Sequence, residues 1–392
     1  MSAYRWRLFK LFGIPISVNL SWVVILALIT LTISASIPAW TNEYFGASAS
    51  QLVLWQRWLL GLIAALTFFA CIVLHELGHA LVARSWGLPI QGITLFLFGG
   101  VSELKGEPTS AASEFWMAVA GPFVSLLLGL VFGLLAWLGY QAGWSPPIVV
   151  VFGYLGAINL LLLAFNMVPA FPLDGGRVLR SALWATTGNL RRATHWASAA
   201  GQVFAWLLIA WGIVQLFAGN WLGGIWLGLI GMFLNDAAQS SYRQVIIRNA
   251  LRGEPVRRFM NSQPIVVPQS LDLSHWVEDY VYRFHHRAFP VTSNGHLEGY
   301  ISTQEHSKMP RTEWIRRTVG EVMQRNLEPI EITPEADALA ALGKMQRSGC
   351  SRLLVVEHEQ LLGIISVKDL LQFLDLKMEL ESGEDNTLDR CT

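Results

Sequence analysis

The chain has 392 residues, enough for two or three domains, and its 28 basic residues balance 28 acidic ones, which gives no reason to expect nucleic-acid binding. With 53% hydrophobic and only 14% charged residues, it is too apolar for an ordinary soluble protein. Cys71, Cys350 and Cys391 are scattered, with neither a disulfide framework nor a Cys-x-x-Cys metal pair.

The apolarity is local. No Asp, Glu, Lys or Arg occurs from Leu11 to Asn42, from Phe115 to Leu173 or from Ala193 to Asn235. Runs of this length can span a bilayer once or, for the second and third, twice. Arg5, Arg7 and Lys10 precede the first span, expected at about 17–39, which is too long for a signal peptide and is read as a retained helix. A second span is expected at about 58–83. The stretch Ile90–Val101, flanked by Pro89 and closed by Gly99-Gly100, reads as one or two strands. The second uncharged run holds helices at about 114–140 and 147–168, broken at Gly143–Pro147. Gly121, Ser125, Gly129 and Gly133 recur every four residues, a seam that lets a neighbouring helix approach closely. After a polar interval containing Arg177, Arg180, Arg191 and Arg192, spans are expected at about 196–217 and 220–237.

Six helices place both termini on one side. Arg5, Arg7, Lys10, Arg84, the Arg177–Arg192 group and Arg243–Arg258 fall on that side, whereas the opposite loops carry only Glu43 and Arg57. The positive-inside rule makes that side cytoplasmic, in the plasma (inner) membrane. Fifteen of the 17 Trp residues precede Gly253, as expected for residues at membrane interfaces. The expected organisation is a membrane domain at 1–240, a linker at 241–254, two soluble modules at 255–310 and 318–376, and an acidic, disordered tail at 379–392.

The modules form an internal repeat, with Val256–Ser302 aligning to Val319–Ser366 at an offset of 63 to 64. Each begins Val-x-x-x-Met and ends in Gly-x-Ile-Ser, at Gly299–Ser302 and Gly363–Ser366. His275, His285, His286, His296 and His306 fall in the first module, but their spacings match no metal motif, so they read as surface or packing residues.

Chemistry concentrates in the second span, at His75-Glu76-Leu77-Gly78-His79. Two histidines four apart project from nearly the same side of a helix and can reach one ion, and the glutamate between them is placed to take a proton from an attacking water. The alternative is a packed pair of core histidines. Ionisable groups inside membrane helices cost about 2.5–3.5 kcal/mol each on insertion scales, which disfavours a casual occurrence. A hydrolytic zinc site needs a third protein ligand. The candidates are Glu114, Asp236 and Asp174. Asp174 lies in Asn166–Gly176, where Pro169 and Pro172 stop the fourth helix and Gly175-Gly176 permit a tight turn that can swing a carboxylate back towards a metal. Its alternative is a turn-capping aspartate. Asn159 and Asn166, seven apart, share one face of that helix and are candidates for contacting a substrate, the alternative being interhelical hydrogen bonds.

His75–His79 together with Asn166–Gly176 resembles the site-2 protease family of intramembrane zinc metalloproteases (peptidase family M50), and residues 1 to about 240 resemble its six-helix plan. The resemblance implies one Zn2+ held by His75, His79 and Asp174, Glu76 as catalytic base, and Asn166 at the substrate carbonyl or oxyanion. Ala120-Gly121-Pro122 is similar to the family's third-helix signature. Phe98-Gly99-Gly100-Val101 is similar to a strand region that holds extended substrate, which implies Gly99 and Gly100 as substrate-binding positions. The PDZ domain of many relatives has no room between the third and fourth helices here. The repeat resembles a tandem pair of CBS (cystathionine-β-synthase-type) modules, which implies an adenine nucleotide (ATP or AMP) at Gly-x-x-Ser/Thr-x-x-Asp. Ser366 and Asp369 fit that pattern; Ser302 is followed by Glu305 in the Asp position.

The fold expected is therefore a multi-pass α-helical membrane protein, with six transmembrane helices and a short β segment after the second, followed by a C-terminal α+β tandem CBS module. The function expected is hydrolysis of a peptide bond within the transmembrane segment of a membrane-bound substrate, regulated by the CBS pair. The partners implied are the lipid bilayer, a single-span membrane protein such as a tethered transcription regulator or its inhibitor, and a second copy through the CBS modules. A CBS-gated transporter or channel is the alternative from another class.

Overall fold

A computed structural model describes residues 5–46, 52–96, 99–104, 106, 108–293, 296–303, 310–358, 360–374 and 376–377. Phe98, Glu305, His306 and the tail at 379–392, expected to be disordered, lie outside them. The chain divides into two compact units, 1–243 and 244–392.

In the first unit β1 (Arg5–Leu11) and β2 (Ile14–Asn19) form a hairpin before α1 (Leu20–Phe45). Then come α2 (Leu54–Ser85), β3 (Ile90–Phe96), β4 (Gly99–Leu104), α3 (Ala111–Gln141), α4 (Pro146–Asn166), α5 (Asp174–Thr187), α6 (Leu190–Phe217) and α7 (Trp221–Leu251). Six of these helices (α1–α4, α6 and α7) are long and apolar enough to cross a membrane. Their boundaries follow local signals. Asn19 caps α1 by accepting from the Ser21 N–H at 3.1 Å, Ser110 and Ser113 exchange hydrogen bonds at the start of α3, and Pro146-Pro147 open α4.

Two expectations need correction, and one segment left open by the sequence is filled in. Residues 17–19 belong to β2 and not to the first helix: alternation of buried Ile14, Ile16 and Val18 with half-buried neighbours gives the segment a strand period. The polar interval after Asp174 is the amphipathic helix α5. The linker expected at 241–254 is helical as far as Leu251, because no Gly or Pro interrupts the chain between Gly231 and Gly253.

The four strands form one sheet in the order β1-β2-β3-β4, with β2 and β3 parallel and the outer pairs antiparallel. Ile14, Ile16 and Val18 of β2 and Ile93 and Leu95 of β3 pack on Phe69, Ile72, Val73, Leu77 and Ala80 of α2. The sheet therefore lies along the helix that carries the His-Glu-x-x-His set, with β4 at a sheet edge. The small-residue seam on α3 is shared between two partners. A Cβ on Gly156 of α4 would lie 3.0 Å from the Gly133 nitrogen and 3.2 Å from the Gly129 oxygen, so that half is a helix–helix contact. The other half, Gly121 and Ser125, faces α2.

The second unit has a six-stranded sheet in the order β5-β6-β7-β10-β9-β8. The strands are β5 (Val267–Pro268), β6 (Ala288–Ser293), β7 (His296–Ser302), β8 (Glu331–Ile332), β9 (Arg352–Glu357) and β10 (Gln360–Ser366). The two repeats exchange their leading segments: Asn261 of the first bridges to Ile364 of the second, and Gln324 of the second bridges to Tyr300 of the first. The bridges Pro255–Asp337 and Asp272–Thr318 are related in the same way. The repeat is thus a pseudo-two-fold pair whose halves cannot close separately.

Candidate active site

His75 and His79, one turn apart on α2, are both buried. Asp174 is the first residue of α5, so its carboxylate sits at the positive end of that helix, and its side chain is only 12% exposed. The loop Met167–Leu173 brings it there, folding tightly over the first turn of α5. A Cβ on Gly175 would lie 2.4 Å from the Met167 carbonyl, and one on Gly176 would lie 2.3 Å from the Phe171 nitrogen. The paired glycines thus serve close approach inside a helix, not the tight turn expected from the sequence.

Asp174 Oδ2 lies 3.2 Å from Nε2 of His75 and 3.2 Å from Nε2 of His79, and the two nitrogens are 3.2 Å apart. Three donors bound at about 2.0–2.1 Å in tetrahedral geometry lie about 3.3–3.4 Å from one another. The triangle fits a zinc ion with a fourth position left open. Among the described residues it is the one cluster of three His, Cys, Asp or Glu side chains close enough to share an ion. The rival third ligands are elsewhere engaged or placed: Glu114 is bonded to Arg180, and Asp236 is exposed on α7.

The supporting residues come from α3. His79 Nδ1 donates to the Met117 carbonyl at 2.6 Å, and His75 Nδ1 lies 2.8 Å from Ser125 Oγ. Bonds of this kind fix ring orientation and leave Nε2 for the metal. Gly121 lies flush against the ligands, since a Cβ there would come within 2.1 Å of His79 Nε2 and 2.6 Å of His75 Nε2. Its neighbour Pro122 lacks an N–H, which leaves the Ala118 carbonyl, one residue after Met117, without its helical donor.

Glu76 is half-buried beneath β4. Ser102 Oγ donates to its Oε2 at 2.8 Å and lies 3.3 Å from its main-chain carbonyl. A Cβ on Gly100 would come within 2.7 Å of Glu76 Cγ, so Gly100 lets the strand pass directly over the carboxylate. Gly99, at a φ of 133°, opens the same strand. Asn166 is the last residue of α4, half-buried, immediately before the loop that carries Asp174. Asn159 is fully buried, and its Nδ2 donates to the Leu155 carbonyl of its own helix at 2.8 Å. The sequence reading missed Ser102, Ser125 and the Met117 carbonyl. The positions Glu114, Gly121 and Ser125, spaced by seven and four, were the available sign that one face of α3 serves the site.

In the second unit, Asp369 Oδ2 accepts from Ser366 N at 2.8 Å and from Ser366 Oγ at 2.6 Å, a local cap. Ser302 lines a cleft of about 540 Å³ together with Arg287, Ser351 and Arg352.

Residues 63–143 and 140–209 match the profile of peptidase family M50, and residues 256–305 and 319–376 match the CBS domain. The candidate zinc metalloprotease sll0528 of Synechocystis sp. is 34% identical over 371 residues, covering 94% of this chain and 95% of its own length. Zinc metalloprotease MJ0392 of Methanocaldococcus jannaschii is 29% identical over 382 residues, covering 96% and 99%. Among solved structures, the site-2 protease from M. jannaschii is similar at 28% identity, covering 61% of this chain and 96% of that one with a TM-score of 0.42. The chain belongs to peptidase family M50, the site-2 protease family of membrane zinc metalloproteases, and carries a C-terminal CBS pair.

Proposed function

We propose that this membrane zinc protease hydrolyses a peptide bond within the transmembrane segment of a single-span membrane protein, such as a tethered transcription regulator or its inhibitor. The observation that carries the reading is the 3.2 Å triangle of His75, His79 and Asp174, with Glu76 on the same turn of α2 and the edge strand β4 above it. His75, His79 and Asp174 would hold the zinc ion. When bound there, zinc supplies Lewis acidity and brings the pKa of a coordinated water to about 7.

Glu76 Oε1 and Oε2 are the base: the carboxylate takes the proton of the attacking water and returns it to the leaving amine nitrogen. Ser102, by donating to Oε2, aims the carboxylate. Asn166 donates from its amide to the oxygen that becomes negative on attack. A substrate helix must first unwind, because its carbonyls are already hydrogen-bonded within the helix. The edge of β4 at Gly99 and Gly100 offers main-chain partners to the extended segment. Asn159, fully buried, acts on this path only if the helices part.

Both termini and the CBS pair face the cytoplasm in this reading, supported by the distribution of Arg and Lys. The CBS pair regulates cleavage through an adenine nucleotide whose phosphates suit Arg287 and Arg352 in the Ser302 cleft, with Ser366 and Asp369 as the second position, and offers a surface for a homodimer.

The test is comparison of membrane proteomes from cells carrying the parental protein or Glu76→Gln. Accumulation of uncleaved single-span proteins in the variant, with zinc content unchanged, supports the assignment. Cleavage at the parental rate by Glu76→Gln removes it.

A further inference from the structure

Glu114 in the first turn of α3 and Arg180 in α5 are both buried, outside the ligand triangle, and they bond to each other. Arg180 Nε donates to Glu114 Oε1 at 2.6 Å, and its Nη2 donates to the same oxygen. The other carboxylate oxygen, Oε2, is buried without a hydrogen-bond partner among the described residues. The guanidinium carbon also lies 4.9 Å from the centre of the Phe171 ring, in the loop that ends at Asp174.

Stability does not explain such a pair. Removing two charges from water offsets most of their attraction, and an apolar pair of similar volume is often as stable or more so. A half-satisfied carboxylate makes the balance worse. What the pair supplies is register. Glu114, Ala118, Gly121 and Ser125 follow one another at spacings of four, three and four, so they share one face of α3. On that face Ser125 holds His75 and Gly121 admits both imidazoles, while the Met117 carbonyl, one residue before Ala118, holds His79. The same helix therefore positions the histidines along most of its buried face and grips α5 at its end. Arg180 lies less than two helical turns from Asp174, the first residue of α5.

We propose that the Glu114–Arg180 ion pair, with the Phe171 ring under the guanidinium, is a positioning device that fixes α5 against α3 and so holds Asp174 Oδ2 at the third corner of the ligand triangle. Both are positioning residues, touching neither the ion nor the substrate. The proposal rests on the assignment of His75, His79 and Asp174 as zinc ligands.

The experiment compares the purified full-length protein with Glu114→Met/Arg180→Met, Phe171→Leu and, as a reference for the ligand assignment, Asp174→Ala. Readouts are the thermal midpoint, zinc affinity by chelator competition, and the visible spectrum of the cobalt-substituted protein. The double variant is expected to keep its thermal midpoint while its zinc affinity falls about 10–100-fold and its cobalt spectrum changes, as for lost outer-shell partners. Phe171→Leu is expected to show a smaller loss in the same direction. Parental zinc affinity and cobalt spectrum in the double variant would overturn the proposal. If the double variant does not fold, Arg180→Lys decides: it keeps a positive charge but lacks the two-donor fork, and parental affinity in it counts against the device just as firmly. Full zinc occupancy in Asp174→Ala removes the ligand assignment itself and this proposal with it.

Discussion

The Nδ1 nitrogen of His79 donates to the main-chain carbonyl of Met117 at 2.6 Å, and that bond settles which nitrogen faces the site. A carbonyl only accepts, so Nδ1 carries the hydrogen, and in the neutral ring that binds a metal Nε2 carries the lone pair. His75 has only a hydroxyl in the equivalent place, Ser125 Oγ at 2.8 Å. A hydroxyl both donates and accepts, so it orients the ring without imposing a tautomer. Ser125→Ala should therefore leave the fold intact and weaken zinc binding by about tenfold, the lower end of the range for outer-shell partners. Chelator competition checks it; unchanged affinity would show that packing alone orients His75.

Gly121 makes a sharper demand on the same helix. A Cβ there would stand 2.1 Å from His79 Nε2, inside the ligand triangle. Gly121→Ala should give a folded protein with almost no zinc and no activity. Gly133→Ala, three turns along α3, where a Cβ meets nothing within 4 Å, is the control and should retain both. Elemental analysis of the two purified proteins reads the difference, and stoichiometric zinc in Gly121→Ala would mean that α3 lies further from the histidines than described.

How much of this was legible beforehand depended on periodicity and on distance along the chain. The six spans, the strands after Pro89 and the repeat announce themselves locally, by runs of apolar residues or by self-similarity. His75, Glu76 and His79 are legible for the same reason, lying within one turn and a half. Asp174 is legible because prolines and glycines mark broken backbone in an otherwise helical run. The strands at Arg5–Asn19 were hidden because basic residues beside an apolar run read as the flank of a membrane span, and only pairing with the distant Ile93–Leu95 gives β2 its place. Ser102 and Ser125 were hidden for a related reason. Ser102 carries no signal until the fold brings it 26 residues back to Glu76, and Ser125 reads only as part of the small-residue seam until it meets His75, 50 residues back.

Among the described residues, Ser102 is the one sheet side chain that bonds the Glu76 carboxylate. Ser102→Ala removes a donor that aims the base but leaves the ligand triangle untouched. The expected outcome is a fall in kcat of about tenfold, less than the roughly 10²–10⁴-fold that a proton-transfer group itself contributes because Ser102 only aims the base, with zinc content unchanged. A parental kcat would show that Glu76 is oriented by β4's main chain and by Gly100 alone.

In the second unit the exchanged segments are held by contacts that leave no space for a side chain. A Cβ on Gly363 would lie 2.5 Å from the Asn261 carbonyl, and one on Gly299 would lie 2.6 Å from the Gln324 carbonyl. Gly363→Ala and Gly299→Ala should each destabilise the CBS pair by about 1–3 kcal/mol, the usual range for overpacking. Because the bridges are related by the pseudo-two-fold, the two variants should act on one shared transition, and the double variant should not split it into two. Chemical denaturation of the full-length protein followed by hydrogen exchange in peptides from residues 256–374 checks this.

His275 and His286 should titrate in opposite directions from an ordinary imidazole. His275 Nδ1 lies 2.6 Å from Asp272 Oδ2, and that hydrogen bond and charge raise its pKa, with Asp279 and Glu278 adding to the pull. Burial lowers the pKa of His286, helped by Arg352 and His285. Asp272 also caps the helical turn at Leu273, accepting from the His275 N–H at 3.0 Å, a role that Asn fills equally well. Asp272→Asn therefore removes the charge but keeps the cap, and should bring the His275 midpoint down while leaving His286 unmoved. A pKa raised on folding adds stability that is present below the unfolded value, about 6.5, and is lost as the pH rises through the folded value. Any stability gap between parent and variant should accordingly be found below that folded value, close above it, and close again at acid pH as Asp272, whose own pKa is lowered by His275, becomes protonated. Because His275 is fully exposed the gap will be small, and the imidazole resonances in an NMR titration are the direct measurement. Coincident midpoints for the two histidines in the parental protein would show that the Asp272 contact does not persist in solution.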